Sequence, residues 1–161
     1  MAVLRRIASL AVAVFLVLSG GCGGASYRDG AHSQAAAVTP RRLWVVRGDL
    51  RNVHYAIDAS KATAAIAPLP YDGATVTIDL AKPCLFNMIA VEHGPDEWGF
   101  CRRVRVLTSL DGEAFTNRFT AAGTRWISTF CLIEPTLARY VRLEAIQPGQ
   151  RPWSVAEIHI Q

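Results

Sequence analysis

Arg103-Val104-Arg105-Val106-Leu107-Thr108-Ser109-Leu110-Asp111-Gly112 is the stretch whose pattern decides the fold class. Charged and apolar residues alternate with period two, so Val104 and Val106 share one face and the arginines the other, as on a half-buried strand. Asp111-Gly112 then supplies the signal of a tight hairpin turn, because glycine takes positive φ without steric cost. The same alternation runs outward in both directions. Thr75-Val76-Thr77-Ile78-Asp79-Leu80 places Val76, Ile78 and Leu80 on one face, and Leu85 to Val91 is a more uniformly apolar run, expected to be covered on both faces. Arg139 to Glu144 and Val155 to Ile160 close the series, the last strand pinning the chain near Gln161 into a sheet. Nothing from Leu43 onward has the 3.6-residue period of an amphipathic helix. Short strands separated by turns over about 120 residues predict an all-β, antiparallel sandwich occupying residues 41–161.

The 161 residues are 51% hydrophobic and 19% charged, a composition too apolar for intrinsic disorder. Arg5 and Arg6 followed by the charge-free run Ile7 to Leu18 read as a signal peptide over residues 1–21, too short to span a bilayer. Leu18-Ser19-Gly20-Gly21-Cys22-Gly23-Gly24 resembles the lipobox of bacterial lipoproteins, with Leu18 one place further from the cysteine than the family's large aliphatic residue. The resemblance implies lipidation of Cys22 and an exported, envelope-anchored protein, facing the outer membrane or periplasm. An ordinary secretory signal cut nearby is the other reading. Residues 22–40 read as the lipidated cysteine and a flexible tether rich in Gly, Ala, Ser and Gln; the eighteen residues from Gly23 span roughly 23 Å root-mean-square. Loss of residues 1–21 would leave 140 residues and, since Arg5 and Arg6 go and no acid does, lower the net charge from +4 to +2. A domain that near neutrality is not a nucleic-acid binder by bulk electrostatics.

Beyond Cys22 stand Cys84, Cys101 and Cys131, an odd set that allows one disulfide in any of three pairings, or three buried thiols acting as small hydrophobes. Their spacing fits no compact zinc motif.

Five short motifs in order, Ala56 to Thr63, Val76 to Leu80, Ser109 to Phe115, Ala138 to Leu143 and Trp153 to Ile158, resemble the discoidin family, also called coagulation-factor type C domains. Galactose-binding-like carbohydrate-binding modules share that fold. The resemblance covers roughly residues 43–161. It implies an eight-stranded jelly-roll sandwich whose loops at one end bind a sugar, a phospholipid headgroup or a protein, without catalysis. It also implies a structural calcium ion held by Asp58, Ser60, Thr63 and Glu157, oxygen donors of the kind that ion prefers. The family's glycine after the aspartate is Ala59 here, and its tryptophan after the threonine is Ala65. If residue 59 needs positive φ, alanine there costs on the order of 1 kcal/mol. A loop closed by hydrogen bonds alone is the alternative.

No Gly-x-Ser-x-Gly elbow, His-Glu-x-x-His pair or Gly-rich phosphate loop is present. His54 and Asp58 would share a face only on a helix. Glu92-His93-Gly94-Pro95-Asp96-Glu97-Trp98 is the densest polar cluster, and its Gly-Pro break marks a loop between strands. Sugar sites pair an aromatic platform with polar side chains that grip hydroxyls. On that chemistry His93, Trp98, Arg125 and Trp126 are the candidate ligand contacts, against the alternative that either tryptophan is core. Trp44 and Trp153 fall in strand regions and are expected to pack. Arg103, Arg105 and Arg142 read as a solvated strand face rather than an anion patch. The expected function is a non-catalytic, envelope-anchored binding module with a glycan as partner. A protein-interaction module binding an envelope protein, with no sugar affinity, is the alternative.

Overall fold

The computed structural model describes residues 37–161, so the leader, Cys22 and most of the tether lie outside the described residues. Eight strands follow in order: β1 (Val45–Gly48), β2 (Ala65–Ile66), β3 (Thr75–Glu92), β4 (Arg103–Ser109), β5 (Thr116–Ala122), β6 (Ile127–Gln147), β7 (Ser154–Val155) and β8 (Glu157–Ile160). Every pairing is antiparallel. The only helical turns among these residues are short 3-10 segments at Arg41–Leu43 and Val53–Ile57, the second around His54, where the pattern announced nothing.

Two long strands make the sandwich. The first part of β3 pairs with β1 and with the end of β6, which β4 and then β5 extend into a five-stranded layer. The second part of β3 pairs with the start of β6 and with β8, giving the opposing three-stranded layer. The ladder between β3 and β6 breaks its register between Asp79 and Cys84 and again between Phe86 and Met88, where the strands pass from one layer to the other. Pro83 has no N–H to offer the ladder there, Ala81 takes φ 69°, and its N–H donates to Asp79 Oδ1 at 2.8 Å. The result is the expected jelly-roll sandwich.

Val76, Ile78, Val104, Val106, Val141 and Leu143 from the larger layer meet Ile89, Val91, Phe130 and Ile158 from the smaller one, all buried. Each such side chain contributes about 1.5–3 kcal/mol by leaving water. Trp44 and Trp153 are buried, as expected. At the C-terminal end, Gln161 N–H donates to Met88 O at 3.0 Å and pins β8 to β3.

Two expectations, the tight hairpin turn and the run covered on both faces, are corrected. The Asp-Gly turn is not a two-residue hairpin, because residues 110–115 link β4 to β5. Ser109 Oγ accepts the N–H groups of Asp111 and Gly112, and Asp111 Oδ1 those of Glu113 and Ala114, so side chains stabilise a wider loop. Gly112 does take positive φ, 84°. Only residues 89–91 of the Leu85–Val91 run are buried together; Leu85 and Asn87 are exposed. Cys84, Cys101 and Cys131 are all free thiols, and Cys131 is exposed. Packing begins before residue 41: Val38 lies against the core and the buried Thr39 donates from Oγ1 to Leu80 O at 2.5 Å.

Candidate functional site

The β3–β4 and β5–β6 connections, residues 93–102 and 123–126, share one end of the sandwich with the loop 58–64. Trp126 is the apex of a three-residue turn. Ile127 N–H donates to Arg125 O at 2.7 Å, and Trp126 takes φ 66°. That backbone is strained for a bulky residue, and it thrusts the indole outward, 60% exposed. With Lys61, Glu92, Gly94, Pro95 and Ile127 it walls a hollow of about 420 Å³.

His93 is corrected as a ligand contact. It is 1% exposed, so no hydroxyl of a ligand reaches it. Its Nδ1 lies 2.8 Å from the carbonyl oxygen of Ser154, which assigns the proton there, and Nε2 then accepts from Ser128 Oγ at 2.8 Å. Burial holds the imidazole below its ordinary pKa, against the pull of the Ser154 carbonyl. The backbone N–H of His93 donates to Trp126 O at 2.9 Å. His93 therefore positions Trp126 by tying three chain segments together.

Trp98 is 44% exposed but belongs to a separate, smaller cleft with Phe100, Arg102, Gly149 and Gln150. Arg125 stacks over the Trp98 ring at 4.5 Å and lies 3.9 Å from Glu97 Oε2. The structure thus brings Arg125 to Trp98 and leaves Trp126 with partners that the sequence reading missed, Lys61 and Glu92. Glu92 stood in the quoted polar cluster; Lys61, 31 positions earlier, carried no local signal. Lys61 Nζ lies 2.9 Å from Glu92 Oε2, and His159 Nε2 lies 2.9 Å from Glu92 Oε1. Burial alone would raise the pKa of Glu92, but Lys61 and His159 overcome it and hold the carboxyl below its ordinary value.

The four residues considered for calcium do converge. Asp58 Oδ1 accepts from Ser60 N–H at 2.9 Å, Asp58 Oδ2 accepts from Thr63 Oγ1 at 2.7 Å, and Glu157 Oε1 accepts from Ser60 N–H at 3.1 Å. Ala59 takes φ 67°, the strained value anticipated. The remaining oxygen of Glu157 accepts from the guanidinium of Arg41, which also donates to His159 Nδ1 at 3.0 Å. A calcium ion at Glu157 would have to displace a cation already bound to it, so the donor set as arranged does not fit the metal. Among the described residues, no three His, Cys, Asp or Glu side chains group as metal ligands.

The family described as F5/8 type C domain matches residues 34–158. The chain belongs to that family. No curated protein matches this F5/8 type C domain. Among solved structures it resembles a family 32 carbohydrate-binding module of Clostridium perfringens in complex with GalNAc-β-1,3-galactose, with TM-score 0.69 at 17% identity over 75% of this chain and 96% of that one. The family 32 module of C. perfringens NanJ in complex with galactose gives TM-score 0.67 at 16% identity, over 78% and 97% of the two chains. A chitosan-binding module of a chitosanase/glucanase from Paenibacillus sp. IK-5 gives 0.61 at 15% identity, over 79% and 97%. At these identities the likeness concerns the fold. This F5/8 type C domain sets its own residues at the loop end: Trp126 on its strained turn, with the Lys61–Glu92 pair beside it.

Proposed function

We propose that this F5/8 type C domain binds carbohydrate at its loop end and leaves it chemically unchanged. The supporting observation is Trp126, held outward by a strained turn over the hollow that Lys61 and Glu92 line. The indole face stacks on the apolar C–H face of a sugar ring, while the ammonium donates to ring hydroxyls and the carboxylate accepts from them. Modules of the same fold solved in complex with galactose or GalNAc-β-1,3-galactose, and one described as chitosan-binding, support a glycan as the ligand class. Trp98 with Arg125 forms an adjoining surface for a second sugar unit of a longer chain. A glycan array with the full chain, followed by calorimetry on the best hit, tests the reading. Binding that falls at least tenfold in Trp126→Ala supports it, and the absence of any glycan hit overturns it.

A protein-interaction role is the second reading, favoured by a hollow of about 720 Å³ between Arg118 and Leu137, where Ile133 is fully exposed beside Cys131. The leader pattern further supports export and lipid anchoring through Cys22. Incorporation of labelled fatty acid into the native chain but not into Cys22→Ser checks that proposal.

A further inference from the structure

On the outer face of the five-stranded layer, away from the loop end, lies a cleft of about 440 Å³. Register puts its floor together. Arg47 faces Thr77 and Thr77 faces Arg142 across β1, β3 and β6; two residues along, Val45, Asp79 and Tyr140 form the next row. Neighbouring strands are about 4.8 Å apart, so Arg47 and Arg142 rise about 10 Å apart on either side of Thr77, close enough for both side chains to reach one small anion.

The arginines differ in how they are engaged. Arg139 makes two parallel hydrogen bonds to Asp79, Nε to Oδ1 and Nη2 to Oδ2, each 2.8 Å, and Asp79 is the one carboxylate lining the cleft. Arg142 donates through Nε to Thr77 Oγ1 at 3.0 Å and lies over the Phe115 ring at 3.8 Å, so its plane is held while its terminal N–H groups stay unspent. Among the described residues neither Arg47 nor Arg142 has an acidic partner. One wall is the β4–β5 loop, where Gly112 at φ 84° packs so closely that a Cβ would stand 3.1 Å from the Tyr140 ring. Two uncompensated guanidiniums across one threonine repel each other, and an anion between them removes that repulsion.

We propose that this cleft is a second binding site, distinct from the loop end, for an acidic saccharide whose carboxylate or sulfate is gripped by Arg47 and Arg142. Asp79 and Thr77 take the hydroxyls of the same ring. The cleft's volume, about 440 Å³, lies in the range of small-molecule sites and suits a sugar end better than an extended polyanion.

The test titrates the full chain with glucuronate, with glucose, which differs from it only at C6, and with inorganic sulfate, at low and high salt. Glucuronate is expected to bind at least tenfold more tightly than glucose, less tightly as salt rises, and at least tenfold more weakly to Arg47→Ala and Arg142→Gln. The Arg47 side chain is exposed and makes no hydrogen bond among the described residues, so Arg47→Ala reports on binding rather than folding. Trp126→Ala is expected to leave glucuronate binding intact, which separates this site from the loop-end reading. Equal binding of glucuronate and glucose, or unchanged affinity in Arg47→Ala, overturns the proposal. Sulfate binding as tightly as glucuronate overturns the saccharide assignment.

Discussion

The guanidinium of Arg41, 26% exposed, donates to Oε2 of Glu157, whose side chain is 2% exposed, and so sets a cation against the carboxylate expected to hold calcium. Removing Arg41 strands the charge of the buried Glu157. Arg41→Ala is therefore expected to lower stability by about 3 kcal/mol in denaturant unfolding, with Arg41→Ala/Glu157→Gln recovering part of the loss. Calcium is expected to raise the melting temperature of Arg41→Ala, whose carboxylate has lost its cation, and to leave the native chain unchanged.

Trp126 adopts φ 66°, a conformation that asparagine tolerates far better than tryptophan. Trp126→Asn is expected to abolish glycan binding while raising stability by up to about 1 kcal/mol through relief of strain. Calorimetry and a thermal melt on the same variant check the two halves separately.

His93 sets a pH dependence. Burial lowers its pKa from 6.5, so the folded chain refuses a proton that the unfolded chain accepts. This contribution is fully present above pH 6.5 and is lost as pH falls below it toward the folded value. Melting temperature is expected to decline as pH falls below 6.5, and His93→Gln to show a lower but flatter profile there. A second decline begins below 4.5, where Glu92 loses its pairing with Lys61 and His159; Glu92→Gln is expected to flatten that limb.

Gly94 lines the Trp126 hollow at φ 75°, and a Cβ there would come within 2.9 Å of Ala156 Cβ. Gly94→Ala combines left-handed strain with a clash against the Ala156 side chain just before β8. It is expected to cost about 2 kcal/mol and to weaken glycan binding, read by unfolding and by titration of the surviving folded protein.

Much of the fold was legible because each strand writes its own face locally. Val76, Ile78 and Leu80 alternate with polar neighbours, as do Val104 and Val106, and all five point inward as their spacing demanded. Asp111-Gly112 was misread because Ser109, two residues before it, offers a hydroxyl that captures backbone N–H groups and widens the turn. His93 was misread because polarity in a loop is compatible with both exposure and burial. Its fate depended on Ser128 and Ser154, 35 and 61 positions away, supplying partners for both ring nitrogens.

By itself the sequence determined the class of architecture, the inward faces of the strands and the prominence of Trp98 and Trp126, since period-two hydrophobicity and aromatic chemistry are properties of neighbouring residues. Tertiary structure decided which residues meet. Arg41 reaches Glu157, Lys61 joins Trp126 through Glu92, and Arg47 is set across from Arg142, because strand pairing and the bends in β3 and β6 bring together charges from distant parts of the chain. Electrostatic partnership depends on distance in space, and a jelly roll separates that distance from position along the chain more than most folds do.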